Sequence, residues 1–344
     1  MQSYFPTLVG NEETAHRLGE AIRTGTFPHA HLIAGPSGSG RHTLALGIAA
    51  ALNCENAARD DLPLPCGICN TCRRIREGNF TDVKVLSRSD GRATIGVEEV
   101  RAFREDMFLS ASESAHKIYI IEDFDTATPP AQNALLKVLE EPPPDVVILL
   151  LADGCGKILT TIQSRVQLTR MQRLEPQVIE AYLLQKSPDA KALSARDPEG
   201  FRAAILRADG RLGAALTDAT GKESEATKKA RAVTEGVIRA SLPNTPYPVL
   251  RAAVFSLPTK RAELSDALDS VLLALRDLLL VKCRTEEPPL FYTGKRAAED
   301  LAAQMTKKRI LRLFDLFSEM AAYNRQNGNI TAILSNLSAK LKTL

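Results

Sequence analysis

Two kinds of segment alternate along the first half of this chain. Short runs that are apolar or nearly so are Leu32-Ile33-Ala34, Val83-Lys-Val-Leu86, Lys117-Ile-Tyr-Ile-Ile121 and 146–151. Between them lie segments whose apolar positions recur every three or four residues. The first kind predicts strands and the second helices. Strands apolar on both faces predict a parallel sheet with helices on each side. Helices are predicted over 8–23, with Leu18 and Ile22 on one face and Asn11 as a cap, and over 43–52, where small apolar residues allow close packing on a sheet. Two more are predicted over 97–109, with Val97, Val100 and Met107 in step, and over 131–141. Pro129 stands where a first-turn proline belongs, and Pro142-Pro143-Pro144 stops the same helix. Later in the chain the pattern is helical: Leu264, Leu268, Val271, Leu272, Leu275 and Leu279 form an apolar stripe, and helices are predicted over 311–323 and 330–341.

A length of 344 residues predicts two or three domains with sizeable cores. The apolar share of 44% and charged share of 25% are those of an ordinary soluble globular protein. No run of roughly eighteen apolar residues and no charged-then-apolar leader pattern is present, so neither a membrane span nor secretion is expected. A net charge of +3 permits nucleic-acid contact without arguing for it. The 5% aromatic share and absence of Trp speak against base-stacking readout of single strands.

The cysteines change the picture more. Four of the six, Cys54, Cys66, Cys69 and Cys72, fall in one short segment, three of them as C-x-x-C-x-x-C. Four thiolates satisfy tetrahedral zinc and leave no position for a reacting water, so a structural zinc is predicted. Cys155 and Cys283 are read as incidental.

His31-Leu-Ile-Ala-Gly-Pro-Ser-Gly-Ser-Gly-Arg-His-Thr43 reads as buried strand, glycine-rich turn and helix start, the geometry of a phosphate-binding loop. Against the pattern G-x-x-x-x-G-K-[ST], Gly35 and Gly40 stand in place with Gly38 between them. Arg41 replaces the Lys, however, and His42 replaces the magnesium-binding hydroxyl, with Thr43 one residue on. The strand ending at Ile121 runs into Glu122-Asp123, the place of a Walker B segment with its two acids in reversed order. A Glu reaches about one methylene further than an Asp, so neither carboxylate falls where metal and water need it.

Ala30-His-Leu-Ile-Ala-Gly-Pro-Ser-Gly-Ser-Gly40, the cysteine segment, Asn133-Ala-Leu-Leu-Lys-Val-Leu-Glu-Glu-Pro-Pro143 and Thr161-Ile-Gln-Ser-Arg165 together resemble the bacterial DNA polymerase III clamp-loader subunits. These are AAA+ proteins of the gamma/tau and delta-prime type. The likeness is close over about the first 215 residues and lies only in helical character beyond. Val9-Gly10-Asn11 resembles the adenine-side turn of the same class. The resemblance implies an α/β fold with an AAA+ phosphate-loop domain built on a parallel sheet over 1–168, carrying the zinc module at 54–72. A small helical lid over 169–220 and an all-α collar over 221–344, which closes a five-subunit ring, would follow. It implies gamma/tau and delta subunits, the sliding clamp and primed DNA (through backbone contacts) as partners, and a cytoplasmic replisome protein without membrane attachment.

Within that family, gamma/tau-type subunits hydrolyse ATP, whereas the delta-prime type is a rigid ring member that usually does not. Arg41, His42 and the Glu122-Asp123 order all depart from a working site. So does Gly210-Arg-Leu-Gly-Ala-Ala-Leu216, where Gly213 occupies the second-sensor arginine position and Arg211 lies two residues away, about 200° round a helix. These departures put ATP binding in doubt and argue against turnover. Ser164-Arg165 is intact, and the resemblance gives Arg165 the role of an arginine finger reaching a neighbour's ATP site. A non-hydrolysing delta-prime-type subunit is therefore expected. The alternative is a working gamma/tau-type ATPase in which Arg41 serves for Lys and Thr43 for the hydroxyl.

Overall fold

The alternating apolar runs of the first half come together as one parallel sheet. A computed structural model describes residues 3–36, 38–88, 94–109, 112–219, 225–285, 287, 289–292, 295–326 and 328–344. The chain divides into two compact units, Met1–Tyr182 with Asp209–Ala214, and Leu183–Ala208 with Ala215–Leu344.

In the first unit the elements are α1 (Glu12–Arg23), β1 (Ala30–Ala34), α2 (Arg41–Leu52), α3 (Asn70–Arg76), β2 (Val83–Leu86), α4 (Val97–Met107), β3 (Lys117–Ile121), α5 (Pro129–Glu140), β4 (Val146–Ala152), α6 (Thr160–Gln163), β5 (Gln167–Arg170) and the start of α7 (Pro176–Lys186). The strand order is β2-β3-β4-β1-β5, with every pairing parallel. In the register, Ile33 lies between Leu151 and Thr169. Successive side chains of a strand point to opposite faces, and both faces are apolar. Ile33, Ile118, Ile120, Val147, Leu149 and Leu151 join the core under α1 and α2. Leu32, Tyr119, Ile121, Ile148 and Leu150 join the core under α4 and α5.

Among the elements around the sheet the structure departs from the sequence expectation at α1, at the edge strand and at the start of α2. Asn11 does not cap α1 with its side chain; it sits in the left-handed region, and its amide accepts from the Gln172 N–H at 2.8 Å and donates to the Gln172 carbonyl at 3.3 Å. The edge strand β5 carries the polar Gln167, Thr169 and Arg170, a pattern that gives no apolar run to read. Inside that edge, His31 is buried, with Nε2 2.7 Å from Thr169 Oγ1 and its ring stacked on Phe27. Burial, helped by the Arg17 charge, pulls its pKa down to about 4. Finally, α2 begins at Arg41, so the residues that replace the Lys and the hydroxyl lie in its first turn.

The second unit takes the end of α7, followed by α8 (Pro188–Arg196), α9 (Pro198–Arg207), most of α10 (Leu212–Ala219), α11 (Glu225–Ala240), α12 (Tyr247–Phe255), α13 (Arg261–Cys283), α14 (Lys295–Ala303), α15 (Lys307–Arg325) and α16 (Ile330–Thr343). Ser187 and Asp197 each cap a helix whose first residue is Pro, and Thr306 and Asn329 cap α15 and α16. The stripe on α13 is the spine of this core: Leu264, Leu268, Val271 and Leu275 are fully buried, with Leu272 and Leu279 packed at its margin. Among the described residues no helix is long and apolar enough to cross a membrane.

Candidate functional site

The glycine-rich turn joins β1 to α2 as its spacing predicts. The Gly35 N–H donates to the Ala152 carbonyl at 3.0 Å, continuing the β1–β4 ladder one residue beyond the strand. Gly38 (φ +79°) and Gly40 (φ +93°) then take left-handed backbone that side-chain-bearing residues rarely adopt. The turn delivers the N-terminus of α2, a natural seat for an anion. Two polar atoms buried in it, Ser39 Oγ and Arg41 Nη1, find no hydrogen-bond partner among the described residues.

The charges around that turn are paired within the chain. Arg41, whose side chain is only 10% exposed, places Nη2 2.7 Å from Asp153 Oδ1, just past the end of β4. His42 Nδ1 lies 2.5 Å from Glu122 Oε1. Asp123, held in left-handed backbone at φ +46°, pairs with Arg88 at 2.9 Å. Thr43 is exposed on the first turn of α2. The structure thus brings Gly35, Gly38, Gly40, Arg41, His42, Thr43, Glu122 and Asp123 to one end of the sheet. The carboxylates of both acids there already have cationic or imidazole partners.

Arg211 does not follow the expectation drawn from helical rotation. It precedes α10 rather than lying within it, so the two-residue offset does not turn it to a far face. Its Cβ and Cγ lie 2.9 and 3.1 Å from where a side chain on Gly38 would begin. The Arg211 stem therefore lies against the glycine turn, and Gly38 is needed for that approach as well as for its positive φ.

Ser164 and Arg165 follow the short helix α6. Arg165 sends Nε (2.7 Å) and Nη2 (2.6 Å) to the same oxygen of Glu140, at the end of α5. Its Nη1 donates to the Thr161 carbonyl at 2.8 Å and to Ser164 Oγ at 3.2 Å. The loop that leads into α6 is held by a buried glutamine of α5. Gln132 donates to the Ala127 and Lys157 carbonyls, both at 3.0 Å, and accepts from the Leu159 N–H at 2.8 Å. Asp153, Arg88 and Gln132 escape a motif reading, and Glu140 stands inside the Asn133–Pro143 run without a role of its own assigned by it. Glu140 carries one signal, being a carboxylate in the last turn of a helix, where the dipole disfavours it unless a cation is near.

The four cysteines form a second cluster. Cys54, Cys66, Cys69 and Cys72 are buried, and their sulfur atoms all lie within 4.8 Å of one another. Tetrahedral zinc with bonds of about 2.3 Å sets its sulfurs about 3.8 Å apart, and Cys66 and Cys72 Sγ are at 4.0 Å. The segment is not only loop: Cys69 caps α3, on which Cys72 lies. The Cys69 N–H and Asn56 Nδ2 each donate to Cys66 Sγ at 3.4 Å, and the Cys72 N–H donates to Cys69 Sγ at the same distance. Donors aimed at sulfur suit thiolates, and the donor set fits a metal. These cysteines also pack into the core beneath α2.

Residues 10–175 match a protein family described as DNA polymerase III, delta subunit. The chain is 35% identical over 193 residues to DNA polymerase III subunit tau of Bacillus subtilis, an alignment covering 56% of this chain and 33% of that protein. Against subunit tau of Escherichia coli the identity is 31% over 204 residues, covering 57% and 31%. Against subunit delta' of Bacillus subtilis it is 34% over 169 residues, covering 49% and 50%. The chain therefore spans about a third to a half of the length of these relatives.

Proposed function

We propose, from the match of residues 10–175 to the family described as DNA polymerase III, delta subunit, and from the likeness to tau and delta' subunits, that this chain is a clamp-loader subunit of DNA polymerase III. Within the ring it is the delta-prime-type member: it does not hydrolyse ATP itself, and it offers Arg165 to the ATP site of the adjoining subunit. In that role it helps load the sliding clamp onto primed DNA in the cytoplasm, with gamma/tau and delta subunits as ring partners. A structural zinc on Cys54, Cys66, Cys69 and Cys72 holds the module at 54–72, and the helices from α11 onward serve as the collar.

The observation that carries this reading is the contrast between two sites in one unit. At the phosphate loop the cation at the Lys position is paired with Asp153, and Glu122 and Asp123 are paired with His42 and Arg88. A working site needs the cation on the phosphates and a carboxylate on magnesium. At Ser164-Arg165, by contrast, the motif is complete, and the guanidinium, although paired with Glu140, keeps about a third of its side chain exposed at the end of α6. An arginine supplied in trans stabilises charge on the transferring phosphoryl group without any nucleotide of its own.

A gamma/tau-type ATPase is the second reading, favoured by the 35% identity to subunit tau of Bacillus subtilis and by Thr43 standing exposed beside His42. ATP turnover by the purified chain separates the two. The expected result is no sustained hydrolysis. Hydrolysis that Asp123→Ala abolishes would transfer the chain to the second reading.

A further inference from the structure

From the geometry around α5 and α6 we infer that Glu140 is a positioning residue for Arg165: it sets the orientation in which the guanidinium is presented to a neighbouring subunit. The inference rests on the trans-arginine reading above and adds to it the residue that makes the arginine usable.

Glu140 ends α5, where the exposed carbonyls of the last turn repel a carboxylate. A Glu placed there needs a cation, and the structure supplies Arg165. The contact is specific in form. Nε and Nη2 converge on one Glu140 oxygen, while Nη1 reaches the Thr161 carbonyl at the C-terminal end of α6. A planar, rigid fork tied on two sides loses most of its rotational freedom. Arg165 and Glu140 side chains are 35% and 49% exposed, and a pair so open contributes little to fold stability. What the pair does accomplish is direction, because one N–H of Nη2 is left over for an incoming anion.

The same helix fixes the other end of the segment. Gln132 lies eight residues earlier on α5, about 12 Å along the axis. Through its bonds to Lys157 and Leu159 it holds the entry to α6. With Gln132 at the entry and Glu140 at the exit, α5 serves as the rigid bed on which the arginine rests. Holding a catalytic group in place on a regular element, rather than on its loop alone, is how such precision is reached.

The test uses the reconstituted ring with ATPase-competent gamma/tau and delta subunits, measuring DNA-stimulated ATP hydrolysis across a range of ATP concentrations. Glu140→Ala is expected to lower the turnover of the one site that adjoins this subunit about tenfold or more with little change in KM there, seen in the ring as loss of most of that site's share, because a misaligned group costs rate more than nucleotide affinity. Glu140→Gln, which keeps an acceptor, should recover part of the loss. Arg165→Ala should fall further, and the double variant no further than Arg165→Ala. The thermal midpoint of the isolated chain should be nearly the same for Glu140→Ala and wild type. A kcat at or above the wild-type value for Glu140→Ala, with Arg165→Ala impaired, overturns the positioning role alone. So does a double variant impaired by the product of the two single losses. If Arg165→Ala itself hydrolyses at full rate, the trans-arginine reading falls, and the role of Glu140 falls with it.

Discussion

Replacing Asp153 by Asn tests whether its carboxylate fills the place of an anion at the glycine-rich turn. Arg41 is nine-tenths buried; among the described residues its anionic partner is Asp153, at 2.7 Å, and its Nη1 has no partner. Asp153 itself is 60% exposed. Breaking a fully buried pair costs about 3–5 kcal/mol and an exposed one about 0.2–1 kcal/mol. With one partner buried and the other open, a loss of about 1–2 kcal/mol is expected, or a fall of about 2–8 °C in melting temperature for a unit of this size. The amide leaves Arg41, Ser39 Oγ and the α2 N-terminus as an anion seat without its internal carboxylate. Inorganic phosphate at about ten times its dissociation constant would then return about 1.4 kcal/mol. The assay is thermal unfolding of wild type and Asp153→Asn with and without phosphate. The variant should melt lower and be rescued, and the wild type should respond much less. Equal melting of the two proteins, or equal phosphate shifts in both, would refute the idea that Asp153 stands in for an anion on Arg41.

Other consequences follow from the same structure. The folded state keeps His31 neutral down to about pH 4, whereas the unfolded chain protonates it near 6.5. Stability should therefore fall as pH drops through that window, by up to about 3 kcal/mol; urea titrations at several pH values should show the decline, and His31→Gln should flatten it. Asp82 acts at lower pH. Burial alone would raise its carboxyl, but hydrogen bonds from Ser112, Glu113 and Ser114 outweigh that and hold it below the usual range. Its contribution is present above the unfolded carboxylate pKa and lost as pH falls through the folded one, and Asp82→Asn should reduce the acid-induced part of unfolding. Cys69→Ser, or chelation, should lower the thermal midpoint and loosen hydrogen exchange over 54–76 without lowering ring ATPase at temperatures where the chain stays folded. Well under one zinc per chain in fresh protein would contradict that assignment.

What could be read in the sequence was what repeats or has a fixed spacing. β1, β3 and β4 are apolar on both faces because both faces are covered, so their character shows in any short window. The cysteine spacing and the glycine turn are local in the same sense, and the structure brings each set together. The edge strand β5 was not legible, because an edge needs no apolar alternation and is specified by its neighbour β1. Asn11 has the residue type of a cap, and type alone cannot say that its amide is taken by Gln172, 161 positions away. The pairings that decide the chemistry are of the same kind. Arg41 meets Asp153, Asp123 meets Arg88 and Arg165 meets Glu140 across distances that no motif spans. Arg211 shows the converse error: counting helical turns fails where the residue lies before the helix starts.

The central claim is that this chain gives catalytic help to a neighbour while doing no hydrolysis of its own. The most direct measurement is ATP turnover at saturating nucleotide and primed DNA by the ring assembled with wild-type chain or with Arg165→Ala. With Arg165→Ala, turnover at the site that adjoins this subunit should fall about 10³-fold or more, the scale of an arginine finger. That loss should be visible as one silent site in a ring whose other sites still turn over. Equal turnover at every site with either chain would contradict it.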